Sequence, residues 1–108
     1  MTFALLLANR NINVCIIDKN SSESIINQED SRTTAISQGS SRIYDKINLW
    51  PKIKERAQPI LKILVGDGID NEDLVFNHET VREGPLGFII DNNFFKKKLF
   101  EEIQNSKL

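Results

Sequence analysis

Apolar and polar positions change period several times along the chain, and each change predicts an element. In residues 2–10 the apolar side chains recur every three or four positions, which predicts a helix. The four residues at 14–17, VCII, are rich in β-branched side chains and end at Asp18. A short apolar run of this kind is typical of a buried strand in a parallel sheet. The first part of the chain is therefore expected to form a helix, a turn and a buried strand.

The middle of the chain predicts a polar loop followed by a second helix. Residues 19–31 are rich in Ser, Asn and acids, interrupted by two isoleucines, and predict the loop. A hydroxyl cap at Thr33 or Thr34 predicts the start of the helix, whose apolar positions continue to Ile47. The Leu-Trp-Pro sequence at 49–51 is expected to break it.

The second half predicts an antiparallel pair, another strand and a last helix. Residues 60–65 indicate a strand that runs into a Gly-Asp-Gly turn, and residues 74–76 indicate its returning partner. A Gly-Pro turn precedes a further strand at 86–90, and apolar spacing at 94–103 predicts the final helix. No internal repeat or long linker divides the sequence, so a single α/β domain is expected.

Composition narrows the classes of function. The chain has 108 residues, of which 40% are hydrophobic and 27% charged, in the range of ordinary globular domains. Fourteen basic residues against fifteen acidic ones leave a net charge of -1, which disfavours nucleic-acid binding. One cysteine and one histidine exclude an internal disulfide and a four-ligand zinc site made of those residues. The apolar start, MTFALLLA, is too short to span a bilayer and lacks the features of an export signal.

Asp18 is the first candidate for chemistry. An acid at the carboxyl end of such a strand is where dinucleotide-binding folds bind the adenosine ribose, since a carboxylate accepts from both vicinal hydroxyls. The full fingerprint also needs an earlier strand and a G-x-G-x-x-G turn, and the sequence contains neither. From the residues alone, a solvated acid at a strand end remains the competing interpretation.

Other candidates also keep two interpretations. Arg32 precedes the threonine-led helix, where a guanidinium can bind phosphate or simply lie at the surface. His78 lacks a nearby nucleophile and is expected to be a loop histidine, and Cys15 is expected to be a packed, inert thiol. Trp50 is expected to pack at a helix end, and the lysines at 96–98 to form a solvated face. No acid–base pair stands out.

Three blocks in fixed order resemble a known family. They are SRTTAISQGSSRIYDKINLWPKIKERAQP, then ILKILVGDG, then GPLGFIIDNNFFKKKLFEEI. Together they resemble the flavin-dependent aromatic hydroxylases of ubiquinone biosynthesis, of the 2-octaprenyl-6-methoxyphenol hydroxylase-like, para-hydroxybenzoate hydroxylase type. The resemblance covers nearly the whole chain. It implies an α/β fold in which residues 1–108 form a partial FAD-binding Rossmann-like domain with a small antiparallel β element, without the first strand and the glycine fingerprint.

The resemblance also implies a site and partners. Asp18 is similar to the acid that binds the adenosine ribose of FAD, and Arg32 to the arginine near the diphosphate. Asn92 and Asn93 stand where a polar side chain reaches the cofactor. Members of the family use FAD, an external reductant and dioxygen to hydroxylate a polyprenylated phenol, so most of the chemistry is the cofactor's. A cytoplasmic location, peripheral to the inner membrane, is implied with it.

The missing glycine turn has two consequences. FAD's diphosphate would lack backbone donors, each charge-assisted bond contributing ~1.5 to 3 kcal/mol, so we expect this chain alone to bind FAD weakly or not at all and to be inactive alone. The missing first strand would leave residues 14–17 uncovered, which predicts self-association, pairing with a complementary protein segment, or partial order. The alternatives are a non-catalytic α/β remnant or protein-interaction domain, and another flavin oxidoreductase with the same cofactor half.

Overall fold

The computed structural model describes residues 1–69 and 72–106. Within them the chain folds into a mixed α/β structure whose strands pair only in antiparallel fashion. The helices are α1 (Thr2–Ala8), α2 (Ser22–Asn27), α3 (Gln38–Lys46), α4 (Trp50–Ile53), α5 (His78–Val81) and α6 (Asn92–Asn105), with a 3-10 turn at Lys54–Arg56. The strands are β1 (Thr33–Ser37), β2 (Gln58–Ile60), β3 (Lys62–Val65), β4 (Leu74–Asn77) and β5 (Gly87–Asp91).

The main sheet has three strands in the order β1-β5-β2, with β5 in the centre. β1 and β5 pair from Thr33 opposite Asp91 to Ser37 opposite Gly87. A Cβ atom on Gly87 would lie 2.6 Å from the carbonyl oxygen of Ile36, a distance that real Cβ contacts do not show. Glycine at this position therefore allows the two strands to approach.

One apolar core joins this sheet to the helices. Leu49 and Ile53 from the α4 region are fully buried, and Ile90 of β5 is 1% exposed. The other buried core residues are Leu5, Ile36, Ile47, Phe95 and Leu99. Trp50 packs edge-on against Phe88 with ring centroids 4.7 Å apart, which confirms the packing role expected for it. The core lies between β5 and α6, so the start of α6 is fixed relative to β1.

A separate two-stranded ribbon, formed by β3 and β4, confirms the predicted antiparallel pair. The single strand predicted over 60–65 is divided, since Ile60 ends β2 in the main sheet and β3 begins at Lys62. The register of the ribbon places Ile63 opposite Phe76 and Val65 opposite Leu74, so these four side chains share one face. They are 41% to 59% exposed. An isolated two-stranded ribbon is at best marginally stable in water. The ribbon therefore presents an uncovered apolar face.

The predicted buried strand at 14–17 is wrong. Within the described chain these residues belong to no strand; Val14 is partly buried, and Ile17 is 92% exposed. Cys15 is exposed, so the expectation of a packed thiol is also wrong. β-Branched composition favours extended backbone, but a strand forms only beside a neighbour that takes its hydrogen bonds. No described strand lies beside this segment.

Two further predictions along the middle of the chain need correction. Residues 33–37 form strand β1, and the helix begins only after Ser37, whose hydroxyl accepts from the backbone N–H of Ser40. Pairing with β5 overrides the helical spacing, since Ile36 supplies a core side chain from a strand. Residues 19–31 are not all loop, because Ser21 caps the short helix α2. In both cases a nearby serine supplies the cap.

The overall shape is extended for a chain of this length. The radius of gyration is 16.9 Å, whereas a compact chain of this size has about 13 Å.

None of the helices in residues 1–69 and 72–106 combines the length and the apolar content needed to cross a bilayer.

Candidate functional site

The charged cluster before β1 centres on the carboxylate of Asp30. The Nε of Arg32 donates to Oδ1 at 2.9 Å and Nη2 donates to Oδ2 at 3.0 Å, so the pair is bidentate. The backbone N–H of Arg32 also donates to Oδ1, at 3.0 Å. The Asp30 side chain is 10% exposed and that of Arg32 is 80% exposed. The acid is therefore sheltered and the guanidinium faces solvent.

The first residue of α6 fixes this cluster to the sheet. The Nδ2 of Asn92 donates to Asp30 Oδ2 at 3.2 Å, and its Oδ1 accepts from the hydroxyl of Thr34. Its backbone N–H donates to the carbonyl of Arg32 at 3.2 Å. Lys96, one turn further along α6, places its Nζ 3.9 Å from Asp30 Oδ2. The cluster thus joins the chain before β1 to the start of α6.

Hydrogen bonding shifts the pKa values of both Asp30 and Arg32. The bonds from the Arg32 side chain, followed by those from its backbone N–H and from Asn92, hold the pKa of Asp30 far below its usual range. The same contact raises the pKa of Arg32. Asp30 therefore stays ionised at any ordinary pH, and the pair keeps both charges.

A shallow depression of about 310 Å³ lies beside the cluster. It is lined by Gln28, Glu29, Asp30, Ser31, Arg32 and Lys96. Two of these side chains are basic and two are acidic, so the depression has no net charge. The arrangement can bind an anion through directed N–H donors rather than through excess positive charge.

The structure brings two of the four sequence-predicted site residues together. Arg32 and Asn92 meet through Asp30. Asp18 is exposed, and its Oδ1 accepts a hydrogen bond from the backbone N–H of Asn20 at 2.8 Å. It does not line the depression beside Arg32. Asn93 follows Asn92, and its Oδ1 is buried without a hydrogen-bond partner.

Asp30 is the site residue that sequence reasoning missed. It lies in the segment 19–31, which its polar composition marked only as a loop. A signal was present, because an acid two residues before an arginine can accept both its backbone N–H and its guanidinium. The D-x-R spacing could have directed attention to the pair.

The remaining candidates have structural roles. The expectation of a loop histidine is wrong, because His78 is the first residue of helix α5; its Nδ1 lies 3.0 Å from the carbonyl oxygen of Leu61. Lys98 pairs with Glu101 at 2.7 Å on the surface of α6, and Lys97 is exposed. Within the described ranges, no three His, Cys, Asp or Glu side chains are grouped as metal ligands.

The chain is thus a mixed α/β domain in which an exposed arginine, Arg32, is paired with Asp30 immediately before strand β1. Over 104 residues, 94% of its length, the chain is 29% identical to ubiquinone hydroxylase UbiL of Rhodospirillum rubrum. The chain spans about a quarter (24%) of that relative's length. No family model matches the sequence. The similarity supports a relationship to the ubiquinone hydroxylases, in agreement with the resemblance carried by the sequence blocks.

Proposed function

We propose that this chain is part of the nucleotide-binding region of an FAD-dependent monooxygenase that hydroxylates a polyprenylated phenol in ubiquinone biosynthesis. The observation that carries the proposal is Arg32, which combines an exposed guanidinium with bidentate support from Asp30. The similarity to a ubiquinone hydroxylase along nearly the whole chain supports it. In this proposal the fold is Rossmann-like, and the glycine turn that the sequence lacks comes from another segment.

Of the residues implied by the resemblance, Arg32 has the arrangement that suits the diphosphate of the cofactor. Arg32 would bind the diphosphate, because Asp30 accepts only two of the five guanidinium N–H groups. Asp18, with an exposed carboxylate, would bind the ribose. Asn93 follows Asn92, but its side-chain oxygen is buried and does not line the depression beside Arg32, so we assign it no contact with the cofactor. Bound FAD supplies the redox chemistry with dioxygen and a reductant, while this chain binds and orients it.

The proposal predicts that this chain alone binds FAD with low affinity. Without a glycine turn, the chain should bind FAD with a Kd of about 1 mM or weaker. Retention of stoichiometric flavin by the purified chain would contradict this. The proposed location is cytoplasmic at the inner membrane surface, where the isoprenoid substrate would be met.

A titration followed by NMR tests the cofactor assignment. FAD should shift the resonances of Arg32 and its neighbours, whereas riboflavin, which has no phosphate, should not. Arg32→Ala should weaken binding about tenfold or more through loss of charge-assisted bonds. Arg42→Ala is the matched control, because Arg42 is exposed and pairs with Glu83 away from the cluster. Equal loss in both variants, or FAD-dependent shifts elsewhere in the chain with none at Arg32, would refute the assignment.

The uncovered apolar surfaces favour a second candidate, a protein-interaction domain. The ribbon of β3 and β4 exposes one apolar face, and Ile17 is 92% exposed in a segment that has the composition of a strand. Exposed edges and apolar faces of this kind bind other strands. This candidate predicts self-association or binding of a complementary segment. A monodisperse monomer with a sharp cooperative melt, measured by sedimentation and calorimetry, would count against it.

A further inference from the structure

The guanidinium of Arg32 is held in a bidentate pair by Asp30 although its side chain is 80% exposed. An exposed arginine without a partner samples many rotamers, and an anion must restrict them when it binds. Here Asp30 already fixes one edge of the guanidinium through Nε and Nη2. Part of the ordering that binding requires is therefore present before any ligand arrives.

Asp30 is itself held by the body of the fold. It accepts from the backbone N–H of Arg32 and from Nδ2 of Asn92, which is the first residue of α6. The start of α6 is in turn fixed by the core beneath it, which includes Phe95 and Leu99. The orientation of the guanidinium is thus set by the sheet and the helix, not by the loop alone.

The opposite edge of the guanidinium remains available. Among residues 1–69 and 72–106, no acceptor is found for Nη1 of Arg32. This nitrogen and the second N–H of Nη2 form a fork that matches two phosphate oxygens. A fork whose other edge is paired with Asp30, beside a depression, is the arrangement that bidentate recognition of a diphosphate needs.

We infer that Asp30 is a positioning residue, which presents the free edge of the Arg32 guanidinium to the diphosphate of a dinucleotide. The inference rests on the proposed function. It makes a prediction opposite to that of simple electrostatics. A carboxylate beside an anion site repels the anion, so if Arg32 acted only as a charge, removal of the Asp30 charge would strengthen binding.

The first measurement follows the Nε–Hε resonance of Arg32 by NMR, assigned through its loss in Arg32→Lys. It should be protected from solvent exchange in the wild-type chain and lose that protection in Asp30→Asn. Glu29→Gln is the matched control, since it removes an exposed neighbouring acid from the same depression and should leave the resonance unchanged. A resonance that is unprotected in the wild type, or still protected in Asp30→Asn, would overturn the inference.

The second measurement is a titration with inorganic pyrophosphate at constant ionic strength. Asp30→Asn should bind about tenfold more weakly than wild type, and Glu29→Gln should bind equally or more tightly. Arg32→Lys should also bind more weakly, with little further loss in the double variant, because the two changes remove one arrangement. Thermal melts identify any variant that fails to fold. Equal or tighter binding by folded Asp30→Asn, or no pyrophosphate effect at Arg32 in the wild type, would overturn the inference.

The outcomes separate this inference from the proposed cofactor. If pyrophosphate binds in the expected order but FAD binds without any effect at Arg32, the cofactor assignment is wrong and the role of Asp30 at an anion site is supported. If FAD binds equally well to wild type and Asp30→Asn, the cofactor assignment is supported and the positioning role is wrong.

Discussion

Replacing Gly87 by alanine should destabilise the sheet that positions Arg32. The new Cβ would lie 2.6 Å from the Ile36 carbonyl oxygen and 3.4 Å from Ser37 Cα, and both are backbone atoms that no side-chain rotation can move. The strands must separate by several tenths of an ångström. Overpacking of this kind costs about 1 to 3 kcal/mol, partly offset by ~0.5 to 1 kcal/mol from replacing a flexible glycine. The central values leave a net loss of about 1 kcal/mol.

The assay is thermal and denaturant unfolding of Gly87→Ala beside Gly39→Ala. At this chain length each kcal/mol lost lowers Tm by roughly 4 to 8 °C. Gly39 lies in α3, where an added methyl group would meet only the Ser37 hydroxyl, at 3.9 Å, so alanine there should raise stability by up to about 1 kcal/mol. Opposite signs at the two glycines are the expected result. A Gly87→Ala chain as stable as the wild type would refute the pairing of β1 with β5 in this register.

Three further substitutions test the core, the cap and the charged cluster. Leu49→Ala should lower the free energy of unfolding by about 2 to 5 kcal/mol, because Leu49 is fully buried. Leu64→Ala is the control: its side chain is 60% exposed, so the free energy of unfolding should change by less than about 0.5 kcal/mol. Similar losses in the two variants would contradict the assigned core. Asp91→Ala removes the side chain that accepts from Phe94 N–H and should cost about 0.5 to 2 kcal/mol in denaturant unfolding, with no loss arguing against the cap. Because the pKa of Asp30 is lower in the folded chain than in the unfolded chain, its stabilising contribution is complete above about pH 4 and declines as the pH falls further. The difference in denaturant midpoint between wild type and Asp30→Asn should therefore narrow below about pH 4, and a constant difference would contradict the proposed ion pair.

The sequence predicts most accurately the elements whose apolar spacing and pairing partners lie close together along the chain. The final helix agrees with residues 94–103 because its apolar spacing coincides with a continuous core-facing stripe, and β3 pairs with β4 across a short turn. The sequence predicts a helix where strand β1 forms because its partner, β5, is far away along the chain: paired residues run from Thr33 opposite Asp91 to Ser37 opposite Gly87. Local propensity carries no information about such a partner.

Only part of the candidate site could be predicted from the sequence, because some of its contacts join residues that are distant along the chain. Arg32 is a candidate from its position before the threonines and from the family resemblance, and Asn92 is one from the resemblance alone. The D-x-R spacing is a local signal for the Asp30–Arg32 pair, whereas the contact of Asp30 with Asn92 depends on the convergence of β1 and α6. The buried strand at 14–17 was predicted from composition, yet composition does not supply the neighbouring strand that would bury it. Cys15 is exposed for the same reason.

The central place of β5 also sets the order in which this chain can fold during translation. β1 and β2 do not pair with each other, and both depend on β5, which leaves the ribosome after them and is separated from β2 by residues 61–86. Until Asp91 has been synthesised, the two edge strands have no partner and their apolar residues stay open to chaperones. Completion of the sheet is therefore a late, long-range event, which makes folding of this domain slower than its helical content alone would indicate.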